Sequence, residues 1–288
     1  MDAEGIAYWS RPEHHGWDEV WLNHPLVRAR ANQRVTGSPD LWPIASLRAA
    51  VPDRLPLPRT ASIGCGIGNL EHSLIDLDLV RTVVGVDYSP NAIDVAARRA
   101  AASGRADRIS YRCAQARDFL AAEPDLDAIF FHSSLHHFTD HESLLRLVRG
   151  ALRPDGVLFL DEYVGPSRNE WSWRDVLRWN RMYWSLPRSV RRTRIIRPPV
   201  SRDDPTEAVE SSRILPAVAA HFEVVLRRDY GGNVLAPIYP SLRRPDQTGG
   251  PSDAVFDDAV RRLLAWDDLA SARAQSFHTV IIARPRRN

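Results

Sequence analysis

The chain has 288 residues, enough for one sizeable core or for one core with an elaborated cap. Hydrophobic residues are 44% and charged residues 26%, a globular balance that excludes bulk disorder. With 38 basic residues against 36 acidic ones the net charge is only +2, so no global field draws the chain to nucleic acid or to an anionic membrane. Every basic residue of that count is arginine, which reads as the codon bias of a GC-rich bacterial genome. Cys65 and Cys113 lie far apart with no C-x-x-C spacing, so a disulfide framework is not expected and a reducing cytoplasm fits. The N-terminus lacks a basic start followed by an apolar run, and no stretch approaches the roughly 18 apolar residues of a membrane helix. The expectation is a cytoplasmic protein.

In chain order, the first 55 residues read as helical, over Pro25–Thr36 and 41–50, and end in the proline-spaced linker 53–58. From residue 60 to 160 strands and helices alternate. Strands are predicted at 60–65, 82–87, 108–113, 128–132 and 157–161. A short helix is predicted over Asn69–Asp76, and a longer one opens at Ser89-Pro90, cap residue before first-turn proline, and stops at Gly104. A further helix begins at Asp140 and is closed by the turn Arg153-Pro154-Asp155-Gly156. Buried apolar strands alternating with helices predict a parallel sheet wrapped on both faces. Residues 166–205 form an insertion rich in tryptophan and arginine, without strand signal. Helices at about 205–220 and 253–270 and strands at 222–228 and 277–283 complete the chain.

The segment Gly64-Cys65-Gly66-Ile67-Gly68-Asn69 follows a strand and opens a helix. Glycines there let a ligand approach the backbone, and the helix N-terminus offers unpaired N–H groups. A dinucleotide fold wants G-x-G-x-x-G, but here the third glycine comes one residue early, at Gly68. The spacing suits a cofactor without a pyrophosphate. Asp87 ends the next strand about 20 residues on, where a carboxylate can accept both hydroxyls of a ribose.

Gly64-Cys65-Gly66-Ile67-Gly68 with Gly85-Val86-Asp87 resembles the first two motifs of class I methyltransferases that use S-adenosylmethionine (SAM). Leu135-His136-His137-Phe138 is similar to their fourth-strand motif, and 152–156 to the turn before the fifth strand. The rest resembles a bacterial small-molecule subgroup carrying Asp161-Glu162-Tyr163-Val164-Gly165-Pro166-Ser167, then Asp204-Pro205-Thr206-Glu207-Ala208-Val209, then Tyr230-Gly231-Gly232, and opening with a Tyr-Trp pair, here Tyr8-Trp9. A looser similarity is to enzymes that methylate indole at carbon 3.

The resemblance implies a Rossmann-like, doubly wound, seven-stranded α/β sheet at 56–288, with an N-terminal helical lid at 1–55 and a helical cap insertion at about 166–205. It implies SAM as cofactor, with Gly64, Cys65, Gly66 and Gly68 under its methionine part, Asp87 on the ribose and Tyr88 flanking the adenine. Tyr8 and His132 join them as cofactor-side candidates. Two positions depart from the family pattern: the acidic residue two before the first glycine is Ser62, and the aspartate that caps the adenine amine is Gln115. Ser62 should weaken the hold on the SAM amino group or pass it to another residue, while the Gln115 amide oxygen can still accept the adenine N–H.

Ligands in this fold sit at the carboxyl ends of the strands, which points to His136, Glu162 and Tyr163 as the catalytic cluster. A neutral His136 imidazole can take a proton from the acceptor. Burial of Glu162 should raise its pKa towards the range of a base, and Tyr163 can orient the acceptor or receive a proton. Trp171, Trp173, Trp179, Tyr183 and Trp184, with Tyr8, Trp9, Trp17 and Trp21, read either as a lid giving flat walls to an aromatic acceptor or as packing that binds cap to core. Arg188, Arg191, Arg192, Arg194 and Arg197 read as solvated surface. His14-His15 and Asp140-His141 lack the separated ligand set of a metal site, and no metal is expected.

The reading is methyl transfer to a small molecule, foremost an aromatic natural product, including indole C3-methylation with pyrroloindoline closure. O-methylation of a sugar or phenol and non-catalytic SAM binding stay open beside it. A nicotinamide oxidoreductase is disfavoured by Asn69 and the glycine spacing. A nucleic-acid methyltransferase is disfavoured by His132-Ser133-Ser134-Leu135, where an Asn/Asp-Pro-Pro-Tyr/Phe loop would stand.

Overall fold

The computed structural model describes residues 8–9, 21–198 and 204–286. Trp17, His14 and His15 lie outside the described residues. Seven strands are present: β1 (Leu57–Ile63), β2 (Val80–Asp87), β3 (Ile109–Cys113), β4 (Leu126–His132), β5 (Leu152–Tyr163), β6 (Phe222–Gly231) and β7 (His278–Pro285). They form one sheet in the order β3-β2-β1-β4-β5-β7-β6. The reversal of order between β1 and β4 opens a crevice at their carboxyl ends, the place where such sheets bind ligands.

The sheet is mixed rather than wholly parallel. β7 runs antiparallel to both β5 and β6, while the other pairings are parallel. An apolar run such as Val280–Ala283 specifies burial on both faces, not direction, and so the sequence pattern left this strand's sense open. Side chains alternate between two cores. Phe130, Phe159 and Ile282 join one, and Ile129, Phe131, Leu158, Leu160 and Ile281 the other.

The first core is covered by helix Asn69–Asp76, by helix Pro25–Thr36 through Val27, Ala31 and Val35, and by helix Asp253–Ser271 through Phe256, Val260 and Leu263. The second is covered by helices Ala116–Ala122, His141–Ala151 and Ile214–His221. Trp21 stacks on Tyr230 of β6, and Arg34 of helix Pro25–Thr36 pairs with Asp268 of helix Asp253–Ser271 at 2.6 Å, so the segment from Trp21 to Thr36 is fastened to both.

Several predicted bounds coincide with the structure. Helix Pro90–Ala102 starts at the Ser89 cap, whose hydroxyl accepts from the Ala92 N–H, and helix His141–Ala151 starts at the Asp140 cap. The residues 153–156 expected to form a turn instead lie within β5, as an exposed irregularity between the pairs Leu126↔Leu152 and Ala128↔Val157. The region 205–213, expected as helix, is a set of turns before helix Ile214–His221. Helix Ala116–Ala122 went unpredicted: it has seven residues and no side-chain cap.

In the insertion, helix Trp173–Trp184 turns Trp179 and Tyr183 fully into the core. The Trp179 indole donates to the Asn233 carbonyl at 2.9 Å, and the Tyr183 hydroxyl to the Ser241 carbonyl at 3.0 Å. These two aromatics fasten cap to core and are not walls of a cleft, while Trp173 is 70% exposed. Arg188, Arg192, Arg194 and Arg197 are exposed and Arg191 is half-buried. No helix among the described residues is long and apolar enough to cross a membrane.

Candidate active site

Beyond Ile63 the chain must turn out of the sheet at once to start helix Asn69–Asp76. It does so through three left-handed residues, Gly64 (φ +69°), Gly66 (φ +52°) and Gly68 (φ +83°). The Gly64 and Cys65 N–H groups donate to the Val86 carbonyl at 2.8 and 3.1 Å, so the loop stays registered on β2. A Cβ on Gly64 would sit 2.7 Å from the Ser134 Cβ, so the loop also packs against the end of β4. Gly68 is the N-cap of the helix and supplies no side-chain cap, which leaves the first-turn N–H groups to other acceptors.

Asp87 accepts from the Gly66 N–H at 3.0 Å and from the Ser89 N–H at 2.9 Å. The carboxylate therefore fixes the glycine loop to the end of β2, in the position the spacing predicted. Tyr88 is half-buried beside it, and Gln115 is exposed at the start of helix Ala116–Ala122. Cys65 is half-buried in the loop, and burial pushes its thiol well up, so it is no thiolate. His132 lies 3.7 Å from Asp161, which itself accepts from the Tyr230 hydroxyl at 2.7 Å.

Beneath the loop sits a carboxyl group that the sequence reading passed over. Glu71 is completely buried, and neither of its oxygens meets a donor at hydrogen-bond geometry. Burial raises its pKa to about 7, partly offset by the neighbouring Ser62 hydroxyl.

Trp9, with Tyr8 edge-on against it at 5.1 Å, spans the crevice. The Ser89 hydroxyl donates to the Trp9 carbonyl at 3.1 Å, and the Trp9 indole donates to Thr206 at 3.2 Å. The Trp9 ring also meets His137 edge-on at 5.0 Å. One aromatic pair thereby connects the β2 end to the segment after the insertion.

Across the crevice, Glu162 at the end of β5 organises the loop after β4. Its Oε1 accepts the N–H groups of Ser134 and Leu135, each at 2.7 Å, and its Oε2 meets His136 Nδ1 at 2.7 Å. The Ser134 hydroxyl donates to the Ile63 carbonyl at 2.7 Å, tying the same loop to β1. Glu162 is fully buried, yet its pKa is lowered: the donors, His136 foremost, outweigh the burial that the sequence reading expected to dominate. It is a fixed anion rather than a base in waiting.

His136 departs from expectation in the same way. Burial disfavours its charge, but Glu207, Glu162 and Asp204 together raise its pKa to about 9, which favours the charged ring over the neutral one expected. The Tyr163 hydroxyl donates to the Pro166 carbonyl at 2.8 Å, and burial raises its pKa; it is tied into the backbone and supports His136 by an edge contact at 6.2 Å. The structure thus brings His136, Glu162 and Tyr163 together at the ends of β4 and β5.

Beside this cluster stand His137 and three residues to which the sequence assigns no role, Asp204, Thr206 and Glu207. His137 Nδ1 lies 3.1 Å from the Thr206 hydroxyl, which donates to Asp204 at 2.6 Å. Glu207 Oε2 lies 3.8 Å from His136 Nε2 and 3.9 Å from His137 Nε2. The signal was present in Asp204-Pro205-Thr206-Glu207, which carried no assigned role because it stands 69 residues from His137 in sequence. No metal ligands were expected, but the fold gathers His136, His137 and Glu207 into a group able to hold a cation. Asp140 caps a helix, and His141 Nε2 contacts the Leu135 carbonyl at 3.0 Å.

Comparison with known proteins agrees with this layout. Residues 61–160 match the family described as a methyltransferase domain. The chain is 28% identical over 54% of its length to 27-O-demethylrifamycin SV methyltransferase of Amycolatopsis mediterranei, covering 53% of that protein. It is 31% identical over 49% of its length to trans-aconitate 2-methyltransferase of Streptomyces avermitilis, covering 49% of it. The chain thus spans about half the length of these curated relatives. Among solved structures it resembles a geranyl diphosphate methyltransferase in complex with SAM, with a TM-score of 0.55 at 16% identity over 97% of this chain and 94% of that one. It also resembles phosphoethanolamine N-methyltransferase 2 of Haemonchus contortus in complex with SAM, with a TM-score of 0.54 at 16% identity over 98% and 60%. The architecture is the Rossmann-like fold of these methyltransferase structures, and the family match falls on its first five strands. Both of those structures hold S-adenosylmethionine, and the residues present here fit that group: a side-chain-poor loop, an uncapped helix N-terminus and a carboxylate at the end of β2.

Proposed function

We propose that the chain transfers the methyl group of SAM to a small molecule held between the glycine loop and the His136–Glu162 cluster. The observation that carries this reading is the pair of fastenings at the switch point: Asp87 holds the cofactor loop to β2, and Ser134 and Glu162 hold the acceptor-side loop to β1 and β5. SAM supplies a methyl group on a sulfonium that becomes neutral as the methyl leaves. The chain contributes position and exclusion of water, effects worth up to roughly 7–11 kcal/mol when reactants are aligned. Gly64, Cys65, Gly66 and Gly68 bed the methionine portion, Asp87 accepts the ribose hydroxyls, and Tyr8, Tyr88, Gln115 and His132 surround the nucleoside.

The acceptor we propose is an aromatic natural product, with indole C3-methylation and pyrroloindoline closure as its narrower form. O-methylation of a sugar or phenol is the second reading, since the same cluster would serve the removal of an O–H proton equally well. A curated relative named for a 27-O position also supports it. Incubating the protein with SAM and a panel of indoles, phenols and sugars, followed by mass spectrometry, tests the proposal. One added methyl on one class is expected, and no methylated product from any class would overturn it. His136→Ala and Glu162→Gln should each lower turnover more than about tenfold while SAM affinity changes less than about twofold. Unchanged turnover in both would remove the cluster from the reaction.

A further inference from the structure

We propose that His136, His137 and Glu207 form the ligand set of a divalent transition-metal ion on the acceptor side of the crevice. The two Nε2 atoms converge on one carboxylate oxygen, Glu207 Oε2, at 3.8 and 3.9 Å, and the three ligand atoms lie within 4.8 Å of one another. Those separations are too long for hydrogen bonds. They are slightly wider than the edges of a coordination polyhedron with bonds of about 2.0–2.2 Å, so a small inward movement of the Glu207 side chain, 34% exposed, closes the set.

The support behind each ring is that of a metal site. Ligating histidines present one ring nitrogen to the ion while the other is held by a carboxylate or hydroxyl. Here His136 Nδ1 is held by Glu162 at 2.7 Å, and His137 Nδ1 by Thr206 at 3.1 Å, with Asp204 behind Thr206 at 2.6 Å. Both rings are thereby turned with Nε2 to the same point. Three carboxylates, Glu162, Asp204 and Glu207, surround two imidazoles, an excess of negative charge that a dication offsets. Ala208, next to Glu207, takes a left-handed backbone (φ +51°), a cost for a non-glycine residue that is tolerated where surrounding contacts fix it.

Two imidazoles and one carboxylate suit zinc, iron, manganese or nickel, and three protein ligands leave positions for an exogenous group. The acceptor this site would take carries an oxygen donor, a hydroxyl or carboxylate, able to fill such a position. That last point rests on the methyl-transfer reading; metal binding itself does not.

The test is calorimetric titration of the full chain, freed of metal by chelation, with zinc chloride and separately with manganese chloride, alongside elemental analysis of the protein as purified. About one equivalent should bind at micromolar or better affinity. His137→Ala and Glu207→Ala should each weaken binding at least about tenfold, and Glu162→Gln about 10–100-fold. A His14→Ala/His15→Ala chain should bind as the parent does. S-adenosylhomocysteine binding by every variant shows that the fold is kept. A chain that binds this nucleoside but no metal overturns the inference, as does metal binding unaffected by both His137→Ala and Glu207→Ala. A chain that binds metal at these residues but no nucleoside overturns the methyl-transfer reading alone.

Discussion

At the scale of single residues, buried charge decides the character of the site. Glu71 has only the weak help of the nearby Ser62 hydroxyl, so burial wins and its pKa rises to about 7; Glu162 has three close donors, which outweigh burial and lower its pKa. The Glu71 shift has a signed consequence. Below the ordinary carboxyl pKa both folded and unfolded chains are protonated there and nothing is lost. Between about 4.5 and about 7 the unfolded chain ionises while the folded one keeps its proton, so stability falls, and above about 7 the loss is complete. The full effect is on the order of 3 kcal/mol. Urea midpoints of the parent and of Glu71→Gln should therefore diverge between about pH 5 and about pH 8, with the variant the flatter. Parallel pH profiles would refute the assignment. What was legible at this scale was local: Gly64 to Gly68 and Asp87 announce themselves by spacing. Glu71 did not, because a carboxylate in a helix's first turn reads as an ordinary solvated residue beside the dipole.

At the scale of elements, the insertion shows how a tryptophan-rich segment divides its labour. Trp179 is entirely enclosed with its indole N–H bonded, whereas Trp173 stands 70% exposed. Trp179→Ala should cost about 3–5 kcal/mol, and Trp173→Ala less than about 0.5 kcal/mol, in chemical denaturation. Equal effects would mean that helix Trp173–Trp184 is docked by another face. Which face is buried could not be read from sequence, since Trp173, Trp179 and Trp184 are alike in composition and only packing separates them. Strands fared better: β1, β2 and β4 are each closed by glycine or a polar residue, and each lies within a few residues of its predicted bounds. The direction of β7 and the turns of 205–213 are set by tertiary pairing, to which local pattern is blind.

At the scale of the whole molecule, the site is assembled from parts remote in sequence. Trp9 contacts Ser89 on one wall and Thr206 and His137 on the other, so a residue near one end of the chain couples cofactor side and acceptor side. Trp9→Ala keeps the carbonyl that Ser89 uses but loses the indole bond to Thr206. Its kcat/KM should fall about tenfold with the urea midpoint nearly unchanged; an equal loss of stability would make Trp9 a packing residue instead. This coupling was illegible beforehand, because a Tyr-Trp pair in isolation carries no partner.

The nucleoside across β1 and β2 is the premise of the account, and calorimetry with S-adenosylhomocysteine addresses it directly. One site per chain is expected at micromolar affinity, with NAD giving no heat and Asp87→Ala weakening the nucleoside at least about tenfold, the value of a lost charge-assisted hydrogen bond. Absence of heat from S-adenosylhomocysteine, or an affinity indifferent to Asp87, would contradict it.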